Sequence, residues 1–166
     1  MTPTTTRRRA SAVEKRDRAR PPEVRLLAEA KGKAFPAGRM LIASPLAVQQ
    51  VIQRVPEGRV ITLSALRHAL AQRFAADYAC PLTTGIFLRI AADAAEEERL
   101  DGATTIMPWW RVVRDDGSLF EKLPGGVNSQ ARALVGEGVA VERVRGVPRR
   151  IADVDQLAWV PRVRRR

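Results

Sequence analysis

Residues 44–90 hold three apolar stripes at helical spacing, separated by strong breakers. Ser44 suits an N-cap and Pro45 a first helical residue, and Leu46, Val48, Val51, Ile52 and Val55 then share a face until Pro56 and Gly58 stop the helix. Arg59-Val60-Ile61 reads as a short extended piece. Thr62 or Ser64 caps the second helix, with Leu63, Leu66, Leu70 and Phe74 inward. A turn around Asp77 leads to Pro81, which opens the third, offering Leu82, Ile86, Phe87 or Leu88, and Ile90 to a core. Two helices joined by a short turn predict a helix-turn-helix with the third helix as reader.

The flanks are less regular. Residues 1 to about 20 are rich in Arg and Thr and poor in large apolar groups, which predicts disorder in isolation. Pro21-Pro22-Glu23 starts a short predicted helix through Ala30, ended by Gly32, and 33–43 is a lead-in. Downstream, 111–114 and 118–121 flank Asp115-Asp116-Gly117, a β-hairpin signal that would make a wing. Val127 to Val135 predicts a helix stopped near Gly136 and Gly138. Val139 to Val144 is extended, and Trp159-Val160-Pro161 closes the body. No internal repeat is present. The expected class is α+β, mainly helical: a winged helix-turn-helix with a small hairpin wing and basic flexible tails. Its expected parts are a basic, largely disordered arm (1–43), the winged-helix domain (44–161) and an arginine-rich tail (162–166).

The charge pattern narrows the partners. The formal net charge is +11 over 166 residues. Residues 1–39 carry 11 Lys and Arg against 4 Asp and Glu, and residues 142–166 carry 8 against 3, whereas residues 40–141 are nearly neutral. A neutral body with cationic ends fits a polyanion such as nucleic acid, and the predominance of arginine suits phosphate. Solvated tails kept for solubility are the plainer alternative. One cysteine, Cys80, and one histidine, His68, exclude an intrachain disulfide and a Cys/His zinc site, so neither metal nor cofactor is expected. No apolar run approaches a membrane span, and no apolar stretch follows Arg7-Arg8-Arg9. A cytoplasmic protein, nucleoid-associated if bacterial, is expected. An organellar transit peptide is the other reading of the Thr- and Arg-rich start.

The most specific stretch is Met107-Pro108-Trp109-Trp110-Arg111-Val112-Val113, followed by Asp115-Asp116-Gly117-Ser118-Leu119 and then Gly125-Gly126, Gln130, Leu134 and Glu137-Gly138. It resembles the active-site region of the O6-alkylguanine-DNA alkyltransferases, where the pattern reads Pro-Cys-His-Arg-Val. Upstream, Val55-Pro56-Glu57-Gly58-Arg59-Val60-Ile61-Thr62 resembles that family's entry into its helix-turn-helix. With tryptophan in place of the acceptor cysteine, the chain is also similar to the alkyltransferase-like proteins, which bind alkylated guanine without repairing it. The resemblance runs from about Ser44 to Gly138. It implies a winged helix-turn-helix that sits in the minor groove and flips a damaged nucleotide into a pocket.

The same resemblance assigns residues. Trp109 stands at the acceptor cysteine and Trp110 at the general-base histidine, so alkyl transfer to the protein is not expected. Trp109 either packs beside a flipped base or plugs an idle pocket. Glu137 stands at the relay carboxylate, with a structural use as the plainer reading. Arg111 either braces the loop or reaches phosphate. Leu63 replaces a tyrosine that helps rotate the phosphate. Leu82 falls on the arginine finger, where an apolar group would wedge a base step. Thr83 and Thr84 could touch phosphate at the helix start, and Arg89 completes the expected contact set. Between Arg89 and Pro108 the chain is about ten residues longer than that pattern. The insertion holds Asp93 and Glu96-Glu97-Glu98, which would repel a phosphate backbone if they faced one.

The expectation is therefore a non-enzymatic DNA-binding protein that recognises alkylated or distorted bases, with O6-alkylguanine duplex as ligand and nucleotide-excision repair proteins as partners; the oligomeric state stays open. A damage-independent architectural or regulatory winged-helix protein is the alternative. RNA binding and an enzyme built on Cys80 also stay open, although Cys80 reads more simply as a small buried or capping residue and His68 as a rim residue.

Overall fold

The computed structural model describes residues 8–162. Residues 1–7 and 163–166, the outer parts of both predicted tails, lie outside the described residues. The elements in order are α1 (Ala12–Asp17), β1 (Glu23–Leu27), β2 (Gly38–Ile42), α2 (Pro45–Ile52), β3 (Ile61–Thr62), α3 (Leu63–Arg73), β4 (Tyr78–Ala79), α4 (Pro81–Leu100), a 3₁₀ turn at Trp109–Arg111, β5 (Val112–Val113), α5 (Gly126–Gly136), β6 (Val141–Val144), β7 (Val147–Ile151) and α6 (Val154–Leu157). The fold is α+β and mainly helical, as expected.

The helices begin where the sequence places their caps. Ser44 Oγ accepts the Ala47 N–H at 3.1 Å, and Thr62 Oγ1 accepts that of Ala65 at 3.2 Å. Leu41, Val48, Ile52, Val55, Leu66, Leu70, Leu88 and Trp109 form one buried cluster. Val60, Val113, Leu119, Ala131, Leu134, Val139 and Ile151 form a second. Trp110 packs against both.

Residues 8–42 correct the expectation of an unstructured arm. Ser11 and Glu14 close a capping box on α1, and α1 docks on the far half of α4. Glu97 accepts the Ala12 and Val13 N–H groups at 2.7 and 3.0 Å, and Arg16 donates to Glu98 at 2.6 Å. The acidic run is thus a docking seat for α1, built by extending α4 to Leu100. The predicted helix from Pro21 to Ala30 is instead strand β1, paired antiparallel with β2, which in turn pairs parallel with β4. Tertiary pairing with the buried Met40-Leu41 edge overrides a short helical pattern with no stripe of its own. Gly38 allows the approach: its φ is +136°, and a Cβ there would lie 2.8 Å from Asp77 Oδ2, which accepts the Arg39 N–H.

The wing also moves. A turn does form at 114–118, with the Arg114 N–H donating to Ser118 O at 3.0 Å. However, β5 pairs in parallel with β3, and the hairpin is β6–β7. Its two turn residues, Arg145 and Gly146, have φ of +51° and +77°, as a tight two-residue hairpin requires. β7 rests on the earlier turn through a Ser118–Arg150 bridge.

Candidate functional site

Helices α3 and α4 form the helix-turn-helix, with Ala75 at φ +52° in the turn. The start of α4 presents two faces. Thr84, Leu88, Ala91 and Ala95 point into the core. Leu82, Gly85, Ile86 and Arg89 lie three and four apart on the opposite side and are exposed, Leu82 at 65% and Ile86 at 49%. Leu82 and Ile86, expected to be available to the core, therefore make an apolar ridge on the surface with Arg89 beside it.

The other expected contact residues divide. Thr84 is buried and its hydroxyl donates to Cys80 O at 2.7 Å, so it faces the helix and not a phosphate. Thr83 is half-buried, and its Oγ1 is shielded from solvent without a partner among the described residues. Leu63 is half-buried against the first core cluster. Arg111 is turned inward: Nε and Nη2 donate to Glu137, and Nη1 donates to Val55 O at 2.6 Å. That geometry braces the frame and leaves little of the guanidinium for a phosphate. Cys80 is buried at the start of α4, and His68 lies exposed on α3.

The two tryptophans are fixed by carboxylates. Trp109 is 3% exposed, and its Nε1–H donates to Glu96 Oε1 at 2.9 Å. Glu96 Oε2 takes Arg99 Nε at 2.7 Å. Trp110 Nε1–H donates to Glu137 Oε1 at 2.7 Å. The rings meet edge to face, 5.9 Å apart at 81°. Glu137 also accepts the Gly58 N–H at 3.1 Å. Burial alone would raise its pKa, but the hydrogen bonds from Arg111, Trp110 and Gly58 together outweigh that and hold the carboxyl below its ordinary value. Beneath this node Gln130, fully buried, donates to Val112 O at 2.7 Å and to Trp110 O at 3.2 Å, and accepts the Phe120 N–H at 2.8 Å. It locks the 3₁₀ turn to α5.

A cavity of about 630 Å³ opens beside the indoles, between the end of α4, Pro124-Gly125 and α5. Trp109 and Trp110 contribute to its wall, and Glu96, Arg99, Ser129 and Arg132 supply its polar edge. Sequence reasoning saw Glu96 only as a repulsive charge and gave Gln130 no role. The signal for Gln130 was there: a lone polar residue on the apolar stripe of Val127, Ala131 and Leu134. Among the described residues no group of His, Cys, Asp and Glu side chains is placed to hold a metal ion, and no helix is long and apolar enough to cross a membrane.

Solved structures similar to this chain include two from S. pombe. One is S. pombe Atl1 in complex with damaged DNA containing O6-carboxymethylguanine, with TM-score 0.50 and 17% identity over 70% of this chain and 94% of that one. The other is the S. pombe alkyltransferase-like protein in complex with DNA, with TM-score 0.46 and 18% identity over the same shares. No curated protein matches the sequence. Residues 44–139 match the DNA-binding domain of 6-O-methylguanine DNA methyltransferase, and with more than half of its length in that domain the chain belongs to this family.

Proposed function

We propose that this protein binds DNA, recognises alkylated or distorted bases without repairing them, and marks them for another repair system, nucleotide-excision repair proteins being the expected partners. The observation that carries this reading is the pair of carboxylate-anchored indoles beside an open cavity; the sequence resemblance aligns the two with the acceptor and general-base positions. Direct alkyl transfer needs a nucleophile with an available lone pair at the pocket. The indole nitrogen lone pair belongs to the aromatic system, and the Trp109 N–H already donates to Glu96. Aromatic side chains at a cavity edge are suited to contact with a flipped base.

The exposed ridge of α4 supports the DNA reading. The exposure of Leu82 and Ile86 supports a reading in which they wedge a base step in the minor groove, with Arg89 on phosphate. Thr83 stands beside them, whereas Leu63, Thr84 and Arg111 act through the frame. The test is incubation with a duplex carrying a single O6-methylguanine. The expected result is a stable complex in which the base keeps its methyl group and the protein mass is unchanged. A methylated protein would overturn the reading.

A second reading, damage-independent binding, draws on the burial of Trp109 and its N–H held by Glu96. It predicts equal affinity for plain and alkylated duplexes.

A further inference from the structure

A second cleft, of about 580 Å³, shares no lining residue with the pocket beside the indoles. Three parts of the chain meet there. Helix α3 gives Ser64, Arg67 and His68, the β1–β2 loop gives Lys33, and α4 begins there at Pro81, next to the exposed Leu82. The loop is fixed, because the Tyr78 hydroxyl donates to Pro36 O at 2.8 Å and the Lys31 N–H to Phe35 O at 2.8 Å. The nearby carboxylates are engaged with neutral donors. Asp77, which also lines the cleft, accepts the Arg39 N–H at 2.7 Å, and Asp115 accepts the Ser64 N–H and hydroxyl at 2.9 and 2.6 Å. Neither Lys33 nor Arg67 is in an ion pair among the described residues. Arg67 makes a long contact to Ser64 Oγ, at 3.3 Å, and lies within electrostatic reach of the Asp115 carboxylate bonded to the same hydroxyl.

We infer that this cleft seats a backbone phosphate of the DNA strand whose groove α4 enters, held by Lys33 and Arg67 with His68 beside them. The inference rests on the DNA-binding reading above and deepens it. Lys33 lies before residue 44, outside the matched family domain, so the β1–β2 hairpin becomes part of this chain's nucleic-acid surface. Two cations from different elements, one of them an arginine fork, line one cleft next to the α4 ridge, a combination suited to a phosphodiester.

The test uses the full chain with K33A and R67A, singly and together, on plain and O6-methylguanine duplexes across a salt series. Each neutralised phosphate contributes about 0.9 to the log–log salt slope, so the double variant, which loses this one phosphate, should lose about 0.9. Between about 50 and 200 mM salt its affinity should then fall about threefold less than that of the wild type. The weakening should be equal on both duplexes, with melting temperature unchanged. K33A, on an exposed loop, should give half the slope change whatever R67A does to folding. An unchanged slope in all variants, with Leu82→Ala still weakening binding, would overturn the cleft assignment and leave the DNA reading intact. Wild-type protein with no duplex binding would remove both. Thymidine 5′-monophosphate or inorganic phosphate binding lost in the double variant, with duplex binding unaffected, would reassign the cleft to a free phosphate and overturn its place on the backbone.

Discussion

Replacing Glu137 with alanine should cost this protein a large share of its stability. The carboxylate takes four partners at once: Trp110 Nε1, Arg111 through Nε and Nη2, and the Gly58 N–H. The Arg111 and Glu137 side chains are 14% and 9% exposed, so the pair is screened little by solvent. Removal leaves a buried guanidinium with only Val55 O, and two N–H groups with no acceptor. Breaking a buried pair by deleting one partner costs about 3–5 kcal/mol. For a chain of this size each kcal/mol moves the midpoint by about 2–4 °C, so a fall of about 6–20 °C is expected. Glu137→Gln keeps an acceptor and should fall by roughly half as much. Thermal unfolding followed by circular dichroism and tryptophan emission measures both. A Glu137→Ala midpoint within about 2 °C of wild type would refute the claim that this node braces the frame. The pH dependence has a definite sign. The folded pKa lies below the ordinary value of 4.5, so the stabilisation is fully present above that pH and is lost as pH falls through the folded value.

Further outcomes follow from other residues. Glu96→Ala should free the Trp109 indole, costing about 1–2 kcal/mol and shifting its emission to the red; unchanged emission would mean the bond is not formed in solution. Leu82→Ala and Ile86→Ala should change stability by less than about 0.5 kcal/mol while weakening duplex binding several-fold, as titration of a labelled duplex would show; full retention of affinity would remove α4 from the interface. The N-terminal helix should undock in acid. The Ala12 and Val13 N–H groups hold the Glu97 carboxyl below its ordinary value of 4.5, so docking persists above that pH and fails as pH falls through the folded value. Limited proteolysis within residues 8–20 should accelerate there, and equal cleavage at pH 4 and 7 would count against it.

What was legible in the sequence was what local chemistry decides. Ser44, Thr62 and Pro81 announced their helices because a cap hydroxyl or a fixed φ acts within one turn. The orientation of α4 was hidden, since its true inward stripe is built largely of alanine and Thr84, whose hydrophobic signal is weak beside Leu82 and Ile86. The strand at 23–27 and the seat for α1 depend on partners far along the chain, which no local pattern encodes. The Asp115-Asp116-Gly117 turn was correct, but the strand entering it found β3 first, so the hairpin fell to the next turn signal at Arg145-Gly146. At the candidate site, the motif pointed to both tryptophans, which the structure sets edge to face beside a cavity. Their anchoring by Glu96 and Glu137 required the fold.

The most direct measurement of the central claim is a binding titration with paired duplexes that differ only by guanine or O6-methylguanine at one position, at two salt concentrations, with tryptophan emission followed in parallel. The account predicts tighter binding to the alkylated duplex, with quenching that disappears in Trp109→Ala. Equal binding to both duplexes, steep in salt and without quenching, would contradict it and leave a DNA-holding frame without damage recognition.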